Sequence, residues 1–330
     1  MKGFSTLTTG HFLSYNRRLS VANRSLCVLC VLCGLLLHAS AAQTTPEQTA
    51  QQMLEQLRAK DFASAIALGT EAIQRWPRDA ELHHLLGLAH FQSGALPPAV
   101  EQLTLAAKLA PARADMHYDL ALSLLAQRNS DAAALALEKS LRLQPKQPLA
   151  HILLGRTYLN SNRGELAVRE FKLALQQDPS IELGHYHLGF AYASLGRTKE
   201  AIAELRKEVQ LHPDNAEAQY QLGHTELESG DATAAVAALK QAVTLDPRRA
   251  QAHYDLGKAL AAQGNYQAAV EPLRQAIALD PKDPSAHYQL ARTLQKLGQD
   301  SEAKNEMAIF SELKKNQKQQ GGMATGRSTE

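Results

Sequence analysis

The sequence predicts an all-helical fold made of antiparallel helix pairs in tandem, and three periodic features predict it. A Leu followed by Gly or Ala recurs every 34 residues, an Ala stands 12 residues after each such pair, and prolines recur with the same spacing. Seven of the 13 prolines share one phase, and no insertion interrupts the period. Self-similarity at a fixed period of 20–50 residues is typical of solenoid architectures.

The Leu-Gly element predicts close helix packing. A glycine inside a helix costs about 0.5–1 kcal/mol relative to alanine, so its recurrence needs a compensating contact. We expect the small residue to lie opposite an alanine of the paired helix, which lets the two backbones approach. The small residues are Gly87, Ala121, Gly155, Gly189, Gly223, Gly257 and Ala291, and the alanines are Ala99, Ala133, Ala167, Ala201, Ala235, Ala269 and Ala303.

The prolines predict where each pair ends. Proline is disfavoured in a helix interior and pushes the preceding residue away from helical geometry. We therefore expect a loop after each second helix, at Pro77, Pro111, Pro145, Pro179, Pro213, Pro247 and Pro281. Glycine is favoured just after a helix, which predicts the turn inside the pairs at Gly94, Gly196, Gly230, Gly264 and Gly298. Arg128-Asn129 and residues 162–164 take that place in two other pairs.

The Leu-Gly, Ala and Pro positions at 34-residue spacing resemble the tetratricopeptide repeat, and the resemblance implies a right-handed superhelix of antiparallel helix pairs. It covers eight units, at about 46–79, 80–113, 114–147, 148–181, 182–215, 216–249, 250–283 and 284–317. The first unit has Gln52-Met53 in place of Leu-Gly. The second helix of the last unit, at about 299–315, is polar, as a terminal unit of a solenoid must be.

Both ends of the chain differ from the repeats. Residues 1–25 are polar and basic, 26–37 are apolar, and Ala39 to Ala42 provide small residues. This three-part order predicts a signal peptide over residues 1–42, cleaved after Ala41 or Ala42. An uncleaved anchor is the alternative, although a spanning helix needs about 20 apolar residues. Residues 318–330 are rich in Gly, Gln, Ser and Thr and predict a disordered tail.

Composition narrows the functional classes. Four of the 35 basic residues and none of the 33 acidic ones lie in residues 1–42, so the remaining chain is close to neutral and predicts no nucleic-acid binding. All three cysteines lie in the apolar stretch, which predicts neither a zinc nor a redox site. Outside the repeats no length of chain remains to form a substrate pocket. We therefore expect no catalytic residue, no cofactor, no metal and no small-molecule substrate.

Six histidines share one repeat position, with Gln219 as the exception: His83, His117, His151, His185, His253 and His287. A metal array is one hypothesis. Metal ligands must converge at about 2 Å, however, whereas equivalent positions in successive repeats lie two helix packings apart. The sequence therefore predicts structural histidines.

The resemblance implies a binding groove. In this family the first helices of successive repeats line a concave surface that binds protein or peptide segments. Carried over by position, the residue after each histidine should face it: His84, Tyr118, Ile152, Tyr186, Tyr220, Tyr254 and Tyr288. These tyrosines are either binding residues or rings that pack between neighbouring first helices.

A second set of groove positions follows four residues later in each unit. It comprises Leu88, Leu122, Arg156, Phe190, His224, Lys258 and Arg292. The groove should therefore be apolar toward its N-terminal half and basic toward its C-terminal half. This predicts a partner segment with an apolar part and an acidic end.

The sequence as a whole predicts a non-catalytic scaffold for protein–protein interaction, exported to the cell envelope as a periplasmic or secreted protein. The alternatives are the same scaffold displayed from the membrane by an uncleaved anchor, or an accessory subunit of an envelope enzyme or of a secretion, pilus or cell-wall assembly complex. A self-assembling structural protein is a third, suggested by Phe310 at a position usually held by a small residue.

Overall fold

A computed structural model describes residues 44–325, and the predicted signal peptide lies outside them. The described part contains sixteen helices and no strand. The helices are α1 (Pro46–Arg58), α2 (Phe62–Arg75), α3 (Ala80–Gln92), α4 (Leu96–Leu109), α5 (Ala114–Ala126), α6 (Ser130–Leu143), α7 (Pro148–Asn160), α8 (Gly164–Gln177), α9 (Gly184–Ser194), α10 (Thr198–Leu211), α11 (Ala216–Glu228), α12 (Ala232–Leu245), α13 (Ala250–Ala262), α14 (Tyr266–Leu279), α15 (Pro284–Lys296) and α16 (Asp300–Thr325).

The helices form two layers. Each helix packs against the next in the chain, most closely within the pairs that begin at an odd-numbered helix. Most successive odd-numbered helices also approach one another, whereas within residues 44–325 no two even-numbered helices come comparably close. The odd-numbered helices therefore line the concave side, which we call the inner face, and the even-numbered helices form the outer face. The predicted all-α superhelix of helix pairs is confirmed.

The recurrent glycines lie where two helices of a pair touch. A Cβ atom on Gly155 would stand 2.5 Å from the Phe171 ring, and one on Gly223 would stand 2.6 Å from Leu239 Cγ. The carbonyl oxygen of Ala235, the alanine predicted to face Gly223, would lie 3.1 Å from the same Cβ atom. The prediction of close approach is right, and the glycine also accommodates a large side chain of the paired helix.

The first pair uses the same contact with the two residue sizes exchanged. Met53 of α1 stands at the glycine position and is fully buried. Its partner on α2 is Gly69, at which a Cβ atom would lie 2.5 Å from Met53 Cε. The absence of Leu-Gly from the first unit is therefore compensated in the second helix.

The turns inside the pairs lie where the glycines predict them. Gly94, Gly196, Gly230, Gly264 and Gly298 have positive φ angles between 71° and 89°, in the left-handed region that glycine adopts without strain. Lys60, Arg128 and Asn162 adopt the same conformation in the remaining pairs. The prolines follow the last helical turn of each second helix, as predicted.

The start of α9 departs from the repeat. Leu183 has a φ of 61° and α9 begins only at Gly184, so this helix has 11 residues where most odd-numbered helices have 13. On α10, Glu208 is buried at a position that six of the other seven units fill with Ala or Ser. One Glu208 oxygen accepts the Tyr186 N–H at 3.1 Å, and the other lies 3.1 Å from His212 Nδ1. A carboxylate from the paired helix thus caps α9.

The last helix differs from its prediction. It extends to Thr325, whereas the sequence predicts a second helix ending near residue 315 and a disordered tail from residue 318. Residues 316–320 are Asn, Gln and Lys, which are tolerated in helices, and no proline follows to end the helix. No helix within residues 44–325 is both long and apolar enough to cross a membrane.

Candidate binding groove

The recurrent histidines tie segments of their units together, and three of them, His83, His151 and His287, join three segments. Nε2 of His151 lies 3.1 Å from the carbonyl oxygen of Pro145 in the preceding loop, and Nδ1 lies 2.7 Å from a Glu170 carboxylate oxygen on the second helix. Since a carbonyl oxygen only accepts, Nε2 donates this bond. The bond to the proline carbonyl recurs at His83, His117, His253 and His287, at 3.1–3.3 Å. The bond to a second-helix oxygen recurs at His83, His185 and His287, at 2.6–2.7 Å.

The exception at this position preserves one of the two bonds. Gln219 Nε2 donates to the Pro213 carbonyl oxygen at 3.2 Å, so the amide replaces the imidazole N–H. These hydrogen bonds are structural, and they explain why histidine recurs at this position. Within residues 44–325 no group of three His, Cys, Asp or Glu side chains is arranged to hold a metal ion.

The predicted groove residues all lie on the odd-numbered helices, but they differ in exposure. Phe190 and Tyr288 are 41% and 38% exposed. Lys258 and Arg292 are exposed as well, and the remaining site residues are half-buried, namely Tyr118, Arg156, Tyr186, Tyr220, His224 and Tyr254. The two residues of this row that are not tyrosines, His84 and Ile152, are buried.

Two of the tyrosines are held by residues outside their own helix. The Tyr186 hydroxyl interacts with Glu217 at the start of α11, and burial, with the Glu217 charge adding, raises the Tyr186 pKa to about 12. Glu217 also pairs with Arg249, whose guanidinium lies 4.8 Å from the centre of the Tyr220 ring. Tyr186 and Tyr220 therefore pack between neighbouring first helices, the second of the two roles considered from the sequence.

Acidic residues that the sequence reasoning missed stand beside the predicted basic ones. His224 Nδ1 lies 2.8 Å from Asp255, and His84 Nε2 lies 2.7 Å from Asp119. The hydrogen bond and charge of Asp255 raise the His224 pKa, against a smaller opposing effect of burial. The C-terminal half of the groove is thus mixed in charge, not basic throughout. Asp119 and Asp255 occupy one repeat position, which is the signal that could have revealed them.

The same repeat position holds a neutral imidazole in the fifth unit. His187 is stacked on Phe171, with ring centres 5.5 Å apart. Burial lowers its pKa to about 3, and the positive charge of Arg156 acts in the same direction. At this repeat position Asp119 pairs with His84 and Asp255 pairs with His224, whereas His187 stays uncharged because it is buried.

His187 should make the fold acid-sensitive. Its pKa in the folded chain lies below the value of about 6.5 in an unfolded one, so its contribution to stability is complete above pH 6.5 and is lost as the pH falls toward 3. By linkage the loss is about 2 kcal/mol at pH 5. We expect His187→Leu to gain about this much relative to the wild type between pH 8 and pH 5 in urea unfolding. Parallel pH profiles of the two proteins would contradict this.

An open cleft of about 470 Å³ lies on the inner face between α11, α13 and the loop before α15. Tyr220, Tyr254 and His224 lie on one side, and Asp280 and Asp283 belong to the loop. The sequence reasoning placed the tyrosines here but not the loop carboxylates, because it considered only positions on the first helices.

Comparison with known proteins agrees with this architecture. A family model described as Tetratricopeptide repeat matches residues 52–114, 118–182 and 220–284, a second one matches residues 260–320, and a third, described as TPR repeat, matches residues 191–230. No curated protein matches the chain in sequence.

Several solved structures are similar. "Crystal structure of YrrB: a TPR protein with an unusual peptide-binding site" is 26% identical, with a TM-score of 0.51 over 57% of this chain and 97% of that one. "Crystal structure of APC/C hetero-tetramer Cut9-Hcn1" is 17% identical, with a TM-score of 0.51 over 82% of this chain and 54% of that one. "Crystal structure of MamA" is 26% identical, with a TM-score of 0.48 over 50% and 97%.

The first family model alone covers more than half of the chain, over repeats whose glycines, prolines and histidines have the contacts described above. The chain therefore belongs to the tetratricopeptide repeat family.

Proposed function

We propose that this protein is a scaffold that binds a segment of a partner protein on its inner face. The observation that carries the proposal is the row of ring and charged side chains that the odd-numbered helices leave accessible there, with Phe190 and Tyr288 about two-fifths exposed. Exposed aromatic and cationic side chains in a concave surface are the residues that most often dominate protein binding energy. The peptide-binding site named for the similar YrrB structure supports the same kind of ligand.

The proposal includes eight repeats behind a cleaved export signal, which places the scaffold in the cell envelope or outside the cell. The order of basic, apolar and small residues in positions 1–42 supports export. N-terminal sequencing of the protein from its native host should find a chain that starts at Ala42 or Gln43. Retention in membranes after alkaline extraction would contradict cleavage and favour the anchored form of the same scaffold.

Binding on the inner face is tested by comparing two surface variants of the full chain as bait in extract of the native host. The inner-face variant carries Phe190→Ala, Lys258→Glu and Arg292→Glu, all at exposed positions. The outer-face control carries Leu135→Ala and Lys240→Glu on even-numbered helices, also at exposed positions. Circular dichroism and melting check that both are folded.

We expect a captured partner to be lost, by at least about tenfold, with the inner-face variant and retained with the control, because a well-packed aromatic or arginine contact contributes more than about 1 kcal/mol. Mass spectrometry of the bound proteins gives the readout. Equal capture by both variants would show that binding does not use the inner face.

A role as an accessory subunit of an envelope enzyme, or of a secretion, pilus or cell-wall assembly complex, is a narrower form of the same proposal. It predicts that a catalytic activity co-purifies with the chain from its host and is absent from the recombinant protein.

A further inference from the structure

The inner face uses the same construction in two successive units, with two components exchanged, Gln251 for Glu217 and Asp283 for Arg249. In the sixth unit Arg249 lies over the Tyr220 ring, paired with Glu217 and 3.6 Å from Asp246. The positions 34 residues later hold Tyr254 for Tyr220, Asp280 for Asp246 and Asp283 for Arg249. A tyrosine and an acidic residue therefore recur, but a carboxylate replaces the guanidinium.

The consequence is an excess of negative charge around an accessible ring. Tyr254, Asp255, Asp280 and Asp283 all line the 470 Å³ cleft on the inner face. Burial raises the Tyr254 pKa, and the negative charges of Asp255 and Asp283 raise it further. Within residues 44–325 no arginine or lysine lies over the Tyr254 ring, in contrast to Tyr220 and Tyr288.

The local charges do not cancel this excess. Asp255 is paired with His224, whose other ring nitrogen lies 3.5 Å from Glu228. Asp280 and Asp283 each accept a backbone N–H, from Lys282 and Ser285 respectively, which leaves their negative charge in place. Lys282 in the same loop and Lys258, whose charge acts at His224, are cations beside the cleft, and neither lies over the Tyr254 ring.

We propose that this cleft binds an arginine side chain of the partner segment, stacked on Tyr254 and paired with Asp283 and Asp280. The partner's guanidinium takes the place that Arg249 occupies one unit earlier, where the chain itself provides the cation. A guanidinium suits the site because it stacks on an aromatic face and pairs with carboxylates at the same time. This inference rests on the proposed function, and it replaces the acidic partner segment predicted from the sequence with a basic one at this point of the groove.

The test uses N-acetyl-arginine amide as the probe and N-acetyl-citrulline amide, which has nearly the same shape without the charge, as its control. The full chain carries ¹³C in the rings of its nine tyrosines, and the Tyr254 signal is assigned from a Tyr254→Phe variant. We expect the arginine probe to shift the Tyr254 signal in a saturable manner and the citrulline probe to shift it at least about threefold less at equal concentration.

Asp283→Asn should weaken binding of the arginine probe at least about threefold, while asparagine keeps the ability to cap α15. Asp79→Asn is the matched control, because Asp79 precedes α3 at the same repeat position and caps it in the same way. Equal shifts with both probes, or unchanged affinity in Asp283→Asn, would overturn the arginine site. Those results would not affect inner-face capture of a partner, which the bait experiment measures separately.

Discussion

Replacing Phe171 by alanine is expected to lower the free energy of unfolding of the central repeats by about 3–5 kcal/mol. Phe171 is fully buried, fits against the backbone of Gly155 and stacks with His187. Truncation removes both contacts and leaves a cavity that the rigid backbone of α7 cannot fill.

Urea unfolding and hydrogen exchange of the α7 and α8 amides measure this effect, since repeats can unfold locally without the whole array. Leu135→Ala is the control, because Leu135 is 65% exposed on α6 and its truncation should change stability by no more than about 0.5 kcal/mol. A loss for Phe171→Ala as small as that of the control would mean that the α7–α8 contact does not hold the pair together.

The exchange of residue sizes in the first pair predicts a strongly coupled double mutant. Met53→Gly alone should lower the free energy of unfolding by about 3 kcal/mol, because it removes the side chain that packs on Gly69 and puts a glycine inside α1. Gly69→Leu alone should also destabilise the pair, by about 1–3 kcal/mol, because the new side chain meets Met53. Both changes together recreate the arrangement of Gly223 and Leu239, so most of the loss should be recovered.

Hydrogen exchange in α1 and α2 reports on this terminal pair directly. The expected coupling is about 2 kcal/mol or more in favour of the double mutant, near the upper end for residues in contact. If the two single losses simply add, Met53 and Gly69 are not the matched pair that the geometry indicates.

The helical framework could be predicted from the sequence because every unit repeats the same local requirements. Gly94 belongs to a series of glycines at turns, and Pro77 belongs to a series of prolines that follow helices. Backbone geometry alone explains both series. The end of α16 predicted near residue 315 was wrong. The Gln and Lys residues that follow are also good helix formers, and no proline after residue 315 prevents a further turn.

The side-chain contacts were less predictable because they join positions that are distant in the sequence. The histidine position was recognised, but not its partners, although Glu170, Glu204 and Glu306 each follow a histidine by 19 residues. The tyrosines remain predicted groove residues, and the contacts of Tyr186 with Glu217 and of Tyr220 with Arg249 could not be predicted from the repeat. A cleft assembled from three helices and a loop depends on how far each unit turns relative to the last, which the 34-residue period does not specify.

The imidazoles of His83, His151 and His287, which join a proline loop to both helices of the following pair, also determine how the array should respond to tension. A pull on the two ends would be shared between the backbone connection and the bond from the histidine to the proline carbonyl. The helix pairs should then rotate slightly about one another before any of them separates. The array would lengthen and shorten elastically. Its curvature would change, and a partner bound along its inner face would be held more tightly or released.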